Sequence, residues 1–320
     1  MDVVMLALAR WDGPYSSTAF SLAQELSKSR RVFYVENPIT IKYFLANIHK
    51  RQIWQRIKAL LFGISPYRFP DTQNPNLIAV IPQLTWPINF LPNGLLYERL
   101  SAVNDRIVGR ILHRLINDNL INRFIFLNCF NPFYIRKFPT GFLPTLFIYM
   151  TVDDIRHSTH IKKHGPRLEQ EAMQRADFVL ATSKELTSLA SKYAKRTYYL
   201  PNAADISLFK TSHLNLFRPS ELDGIDSPVI IYTGNIDHRI DFNLLNEVVQ
   251  RNPTLTFVMV GPISINEDEL QTLRSSVNVL FVGRKNLTDL PAWLKFAQCA
   301  IIPFKCNVLT KSIYPLKINE

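Results

Sequence analysis

An α/β fold built on parallel sheets, in two successive domains, is what this sequence predicts, and three observations predict it. Short β-branched runs alternate with stretches of helical period along the chain. Residues 211–228, TSHLNLFRPSELDGIDSP, break that alternation with a polar stretch containing two prolines. A second and more regular strand–helix series then begins. With 320 residues, 47% hydrophobic and 12% aromatic, the chain is long enough for two ordinary domains with packed cores.

The elements follow in order. VVMLALA (3–9) reads as a buried first strand, AFSLAQELSKS as a helix after the WDGPYSST loop, and RVFYVENP from Arg31 as a second strand. LIAVIPQ, RFIFLNC, LFIYMTVDD, DFVLATS and RTYYLPN are further strands, with helices expected at 95–118, 167–175 and 184–195. Past the break come PVIIYTGN, LTFVMVG, VNVLFVGR and CAIIPF as strands, and FNLLNEVVQR, EDELQTL and DLPAWLKFA as the helices between them. Each pair is one β-α repeat. The expected domains are therefore 1–212 and 213–320, both Rossmann-like, and doubly wound sheets bind ligands at the carboxyl ends of their strands. A cleft between the domains is the expected site.

Charge is distributed unevenly. Residues 1–212 carry 27 Lys and Arg against 15 Asp and Glu, whereas 213–320 carry 10 against 11, so the net charge of +11 belongs to the first part. The excess is densest in 37–70, where Lys42, Lys50, Arg51, Arg56, Lys58 and Arg68 occur with no acid and are interleaved with Ile, Phe, Leu, Trp and Tyr. At helical spacing this is a basic amphipathic segment, suited to lie on an anionic membrane at about 1 kcal/mol per basic residue. The alternative is an apolar stripe packed on the core beneath solvated charges. No nucleic-acid motif accompanies the basic residues, so nucleic acid is not expected as a partner.

No apolar run reaches the roughly 18 residues needed to cross a bilayer, and Asp2 stands where a secretory signal would carry Lys or Arg. A cytoplasmic protein is expected, peripheral at most on the inner face of the plasma membrane. Cys129, Cys299 and Cys306 lack CxxC spacing, which argues against a zinc site or a disulfide framework and predicts buried thiols. GxGxxG after the first strand, GxxxxGK[ST] and GxSxG are all missing, which removes the usual dehydrogenase, P-loop and hydrolase readings.

The remaining motifs act in combination. E-x-E-x-M-x-R-A-D-F-V-L-A-T-S-x-x-L (169–186), Y-L-P-N-A-A-D-I-x-L-F (199–209), Y-T-G-N-I (232–236), V-M-V-G-P (258–262), V-x-F-V-G-R (279–284) and Y-P-L-K-I-N-E (314–320) occur in that order. In this order and spacing the chain from Trp11 onward resembles the GT-B glycosyltransferases, in particular the family-4-type group that builds bacterial cell-surface polysaccharides, including teichuronic-acid-type enzymes. The resemblance implies a GT-B fold, with two Rossmann-like domains facing a cleft. It also implies an acceptor held by the first domain and a nucleotide-sugar held by the second, with no cofactor and no metal. Transfer to a saccharide or lipid-linked acceptor of the cell envelope is the implied reaction.

On that resemblance Gly234 and Gly261 let backbone approach the donor diphosphate, and Asn235 stands where many relatives have an Arg. Asp241 replaces a Lys of the pattern, which leaves Arg239 and Lys317 as diphosphate cations. Glu320 matches the carboxylate that accepts from the donor ribose, while Ser312 takes the place of its usual partner eight positions earlier. Relatives continue with further strand and helix units, so the second domain is expected to be incomplete, and an inactive remnant is the alternative to an enzyme. On the acceptor side Asp153, Asp154 and His157 are placed to orient or deprotonate a hydroxyl. Capping of the next helix is the competing role for Asp154. Trp11, Asp12 and Gly13, in the loop after the first strand, are the expected acceptor contacts.

Overall fold

The computed structural model describes residues 1–13, 17–158, 161–203, 206–209 and 215–318. The chain divides into two compact units, one of Met1–Pro201 with Ser312–Tyr314 and one of Asn202–Lys311 with Pro315–Glu320.

The first unit carries an eight-stranded sheet. Its strands are β1 (Asp2–Ala7), β2 (Val32–Val35), β3 (Tyr67–Arg68), β4 (Leu77–Val80), β5 (Phe124–Cys129), β6 (Leu146–Thr151), β7 (Phe178–Ala181) and β8 (Thr197–Tyr199). The spatial order is β3-β4-β2-β1-β5-β6-β7-β8, and every pair is parallel except β3 with β4. The chain order reverses between β2-β1 and β1-β5, which is the point in a doubly wound sheet where ligands settle. Central strands such as VFYV and LIAV are apolar throughout because both faces are covered. One face packs with Leu112, Phe126, Phe142 and Val179, the other with Met5, Ala23, Tyr34 and Met150.

Among the described residues of this unit the helices are α1 (Thr18–Ser27), α2 (Ile41–Ala46), α3 (Arg51–Trp54), α4 (Ile57–Phe62), α5 (Leu95–Asp118), α6 (Gly165–Arg175) and α7 (Lys184–Ala190). The long α5 coincides with the expected 95–118 span. It starts at Gly94 and lays Val108, Leu112 and Leu115 on the sheet, one face every three to four residues. A side chain on Ser17 caps α1 by accepting from the Phe20 amide.

The basic segment 37–70 is not one amphipathic helix. It folds as α2, α3 and α4, broken at Asn47 and again at Arg56, and α4 ends on Gly63 in the left-handed conformation. Phe44, Ile53, Ala59 and Leu60 turn inward onto Ile39 and Ile81, while Leu45, Trp54, Phe62, Ile64 and Phe69 remain exposed among Lys42, Lys50, Arg51 and Lys58. The break has a physical cause: Arg56 is drawn into the interior by two carboxylates, which interrupts the outward-facing basic row.

The second unit opens with α8 (Ile206–Phe209) and then forms a four-stranded parallel sheet. Its strands are β9 (Val229–Thr233), β10 (Thr256–Val260), β11 (Val279–Gly283) and β12 (Cys299–Ala300), in the order β11-β10-β9-β12. The sheet reverses order at β9, as the first one does at β1. Its helices are α9 (Phe242–Arg251), α10 (Glu267–Arg274), α11 (Leu290–Lys295) and α12 (Val308–Lys311). The strand expected over CAIIPF shrinks to the two residues of β12 that pair with Ile230 and Ile231. Within the polar stretch 211–228, Leu222 is fully buried against Val229, Ile231 and Trp293, so its later half is packed into this unit. Of the three cysteines only Cys129 is buried; Cys299 and Cys306 are exposed, contrary to expectation, because β12 lies at the sheet edge and Cys306 in the loop after it. No helix among the described residues is long and apolar enough to cross a membrane.

Candidate functional site

In the second unit the ends of β9 and β10 approach each other through two glycines. Gly234 and Gly261 both have positive φ, +135° and +153°. A methyl group on Gly261 would overlap the Gly234 carbonyl, and one on Gly234 would overlap Nζ of Lys317. The Gly234 amide donates to the Val260 carbonyl at 2.8 Å, so only backbone fills this crossing. Lys317, on the 3-10 turn Leu316–Ile318, holds its ammonium 4.2 Å from the centre of the Tyr232 ring and 5.5 Å from that of Phe304. A cation is thus brought to a bare backbone wall at the carboxyl end of a parallel sheet.

The other expected donor contacts are engaged with neighbouring groups. Arg239 donates through Nε and Nη2 to the Asp237 carboxylate at 2.8 and 2.6 Å and lies over Phe304. Burial pushes the Asp237 carboxyl up, but the Arg239 hydrogen bonds outweigh it and hold the group below its ordinary value. Arg239 therefore reaches a ligand only in competition with a largely buried carboxylate. The Asn235 side chain donates to Asp237 at 3.0 Å and accepts from the Ser264 hydroxyl, and Tyr232 donates to the Asn235 carbonyl at 2.8 Å. Asp241 caps α9 by accepting from the Leu244 amide. Glu320 lies outside the described residues.

At the end of β6 the three expected acid–base groups separate into different environments. Asp154 is buried and caps the 3-10 turn Ile155–His157, accepting from the Arg156 amide at 3.0 Å and from its guanidinium at 2.8 Å. Burial pushes its pKa up, and the Arg156 hydrogen bonds overcome that and hold it below the ordinary value. The capping role is therefore the one the geometry supplies for Asp154. His157 Nδ1 stands 3.2 Å from the same carboxylate, while Asp153 and His157 are exposed. Behind them lies Glu169 of α6, which the sequence reasoning passed over. Its carboxylate accepts from the Thr151 and Tyr149 hydroxyls at 2.9 and 3.2 Å, and burial pushes its pKa up to about 7. Its position inside the E-x-E helix motif was legible; its burial was not.

After β1, Asp12 is held by Arg56 at 2.9 Å, and Glu36, the residue following β2, contacts the same guanidinium at 3.3 Å. Glu36 and Arg56 are almost completely buried. Burial raises the Glu36 pKa and Arg56 opposes it. Asp12 thus closes a buried ion cluster, and Trp11 packs beside it with the Arg56 guanidinium 5.8 Å from its ring centre. Gly13 turns back, its amide donating to the Arg10 carbonyl at 3.1 Å. Two asparagines also missed in the sequence join the strand ends here: Asn131 donates to the Ala7 carbonyl at 3.0 Å and to Asn37 at 3.2 Å, and Asn128 brackets the Asn131 backbone. Phe130, between them, has φ of +58°, which for a bulky side chain is stored strain next to a ligand-side strand end.

The solved structures similar to this chain include a sucrose-phosphate synthase from Thermosynechococcus elongatus, with a TM-score of 0.60 and 13% identity over 95% of this chain and 77% of that one. Another is Anabaena HepE in complex with UDP and glucose, with a TM-score of 0.55 and 14% identity over 94% and 73%. The fold is GT-B. A curated relative, TuaH of Bacillus subtilis, named for glycosyl transfer in teichuronic acid biosynthesis, is 27% identical over 157 residues. That match covers 48% of this chain and 39% of TuaH, so the chain matches well under half the length of its curated relative. No family model matches the chain.

Proposed function

We propose that this GT-B protein transfers a sugar from a nucleotide-sugar donor to a cell-envelope polysaccharide or lipid-linked acceptor. The observation that carries this reading is the backbone crossing of Gly234 and Gly261 beneath the Lys317 ammonium. A diphosphate leaving group gathers negative charge as the sugar departs, and a fixed cation beside bare backbone meets that charge. Lys317 is assigned that role ahead of Arg239, whose guanidinium already serves Asp237. The ribose contact is assigned to Glu320, by resemblance.

Asp153 and His157 are the groups proposed to orient or deprotonate the acceptor hydroxyl, with Asp154 fixing the turn that presents them. Trp11 and Gly13 are proposed to border the acceptor, and Asp12 to hold their loop through Arg56. No cofactor or metal is assigned. The exposed apolar and basic residues of α2 to α4 would let the protein rest on the anionic inner face of the plasma membrane, which is where a lipid-linked acceptor is found. The relatives support the sugar-transfer part of this reading through the TuaH match and through the UDP and glucose bound by the Anabaena protein.

The test is transfer or hydrolysis of UDP- and ADP-sugars followed by nucleotide release. Gly234→Ala should weaken UDP binding by roughly tenfold or more, because its methyl displaces Lys317. Absence of release with every donor, together with UDP affinity indifferent to Gly234→Ala and Lys317→Ala, would overturn the assignment.

A further inference from the structure

A cavity of about 430 Å³ opens in the first unit beside the carboxyl ends of β1 and β2. Its polar wall is made by Arg10, Asn37, Thr40 and Tyr43, with Ser17, which caps α1, at its edge, and among the described residues no acidic side chain lines it. Each of these four keeps a donor to spare. Arg10 spends one N–H on the Tyr43 oxygen at 3.3 Å and has no carboxylate within ion-pair distance among the described residues. Tyr43 accepts that bond, which leaves its own O–H to donate. Asn37 accepts from Asn131 through Oδ1, so its amide N–H₂ points to no protein acceptor among the described residues. Thr40 accepts from the Tyr43 amide and likewise keeps its hydroxyl proton.

A guanidinium with no carboxylate on it, beside an amide and two hydroxyls that each have a proton to give, makes this wall positive and rich in donors, which suits an anion with several acceptor oxygens. Asp12 and Glu36 are paired with Arg56 at 2.9 and 3.3 Å, and although Glu36 also feels the Arg10 charge, neither carboxylate forms an ion pair with Arg10 among the described residues. Nor is Arg10 needed to hold the loop, since Tyr34 already donates to the Ala9 carbonyl at 2.9 Å and the Gly13 amide to the Arg10 carbonyl. The volume is that of an ordinary small-ligand site, ample for a diphosphate and the first atoms attached to it.

We propose that this cavity binds the phosphate or diphosphate of the acceptor, with Arg10 as the cation and Asn37, Thr40 and Tyr43 as neutral donors. This inference rests on the glycosyltransferase reading only for the word acceptor; the anion site stands on its own geometry. A phosphate of the donor nucleotide has the same chemistry, and the experiment separates the two sources.

Titration calorimetry on the full chain would compare a short prenyl diphosphate, inorganic pyrophosphate and UDP in the wild type and in Arg10→Gln, Asn37→Asp and Gly234→Ala. Asn37→Asp keeps the oxygen that Asn131 needs and places a negative charge on the wall, so it tests the site even if Arg10→Gln disturbs the loop. The expected result is that Arg10→Gln and Asn37→Asp each weaken prenyl diphosphate by roughly tenfold or more while UDP stays within about twofold, with pyrophosphate, which fits both sites, losing part of its affinity. Gly234→Ala should weaken UDP and spare the prenyl diphosphate. If the two wall variants weaken UDP and spare the prenyl diphosphate, the acceptor assignment is overturned in favour of a donor phosphate. If they change none of the three ligands, the anion site itself is overturned, and UDP binding sensitive to Gly234→Ala would leave the proposed function standing.

Discussion

The strand ends of the two units solve the same problem by different means. Around β1 and β2 the work is done by side chains: Arg56 joins Asp12 and Glu36 in the interior, Asn128 and Asn131 tie the strand ends together, and Arg10 faces a cavity. Around β9 and β10 it is done by the absence of side chains, with Gly234 and Gly261 crossing so closely that no methyl fits. Side-chain walls are specific and depend on charge balance, whereas a glycine crossing is indifferent to charge and intolerant of volume. A variable acceptor would suit the first kind of site, and the diphosphate of a nucleoside-diphosphate sugar the second.

The comparison breaks most visibly at Arg56. Arg56→Ala leaves the buried Glu36 and the half-buried Asp12 without their cation, and removing one partner of a buried pair costs about 3–5 kcal/mol. Urea unfolding should show that loss, and equal stability of variant and wild type would mean the cluster is not structural. Smaller is the effect of Glu169. Its pKa rises from 4.5 to about 7 on burial, so the folded chain keeps a proton that the unfolded chain has released between these values. The contribution of Glu169 to stability is then complete below about pH 4.5 and is lost as pH rises to about 7, by about 3 kcal/mol in all. Glu169→Gln should flatten that part of the stability profile, and an unchanged slope would remove Glu169 as its source.

The smallest expected change sharpens the comparison from the other side. Gly261→Ala forces a side chain onto the Gly234 carbonyl in a backbone conformation that alanine avoids, at a cost of about 1–3 kcal/mol. The loss should appear in thermal melts together with weaker UDP binding. Prenyl diphosphate binding should be untouched, and its loss would mean that the two sites are not independent.

Much of the architecture was legible because covered parallel strands are written as apolar runs and surface helices as a repeating stripe. The α5 helix, with Val108, Leu112 and Leu115 in its stripe, could be bounded from the residues alone, and β5, β9 and β10 to within two residues, whereas LFIYMTVDD overruns the end of β6 at Thr151. The segment 37–70 misled because periodicity registers where charges are spaced, not which of them turns inward. One arginine, Arg56, attracted by carboxylates 44 and 20 positions earlier in the chain, converts a single basic stripe into three short helices.

The amino-acid order alone determined the two parallel α/β units, the uneven placement of positive charge and the glycines at the ends of β9 and β10, since each of these is a local pattern of polarity or backbone freedom. Which polar groups are consumed by the fold and which remain for a ligand was decided only in three dimensions. Asp12, Asp154 and Arg239 each met an opposite charge within 3 Å, while Arg10 met a cavity. The physical reason is that a charge is spent or kept according to its nearest neighbours in space, and those neighbours come from distant parts of the chain as readily as from adjacent ones.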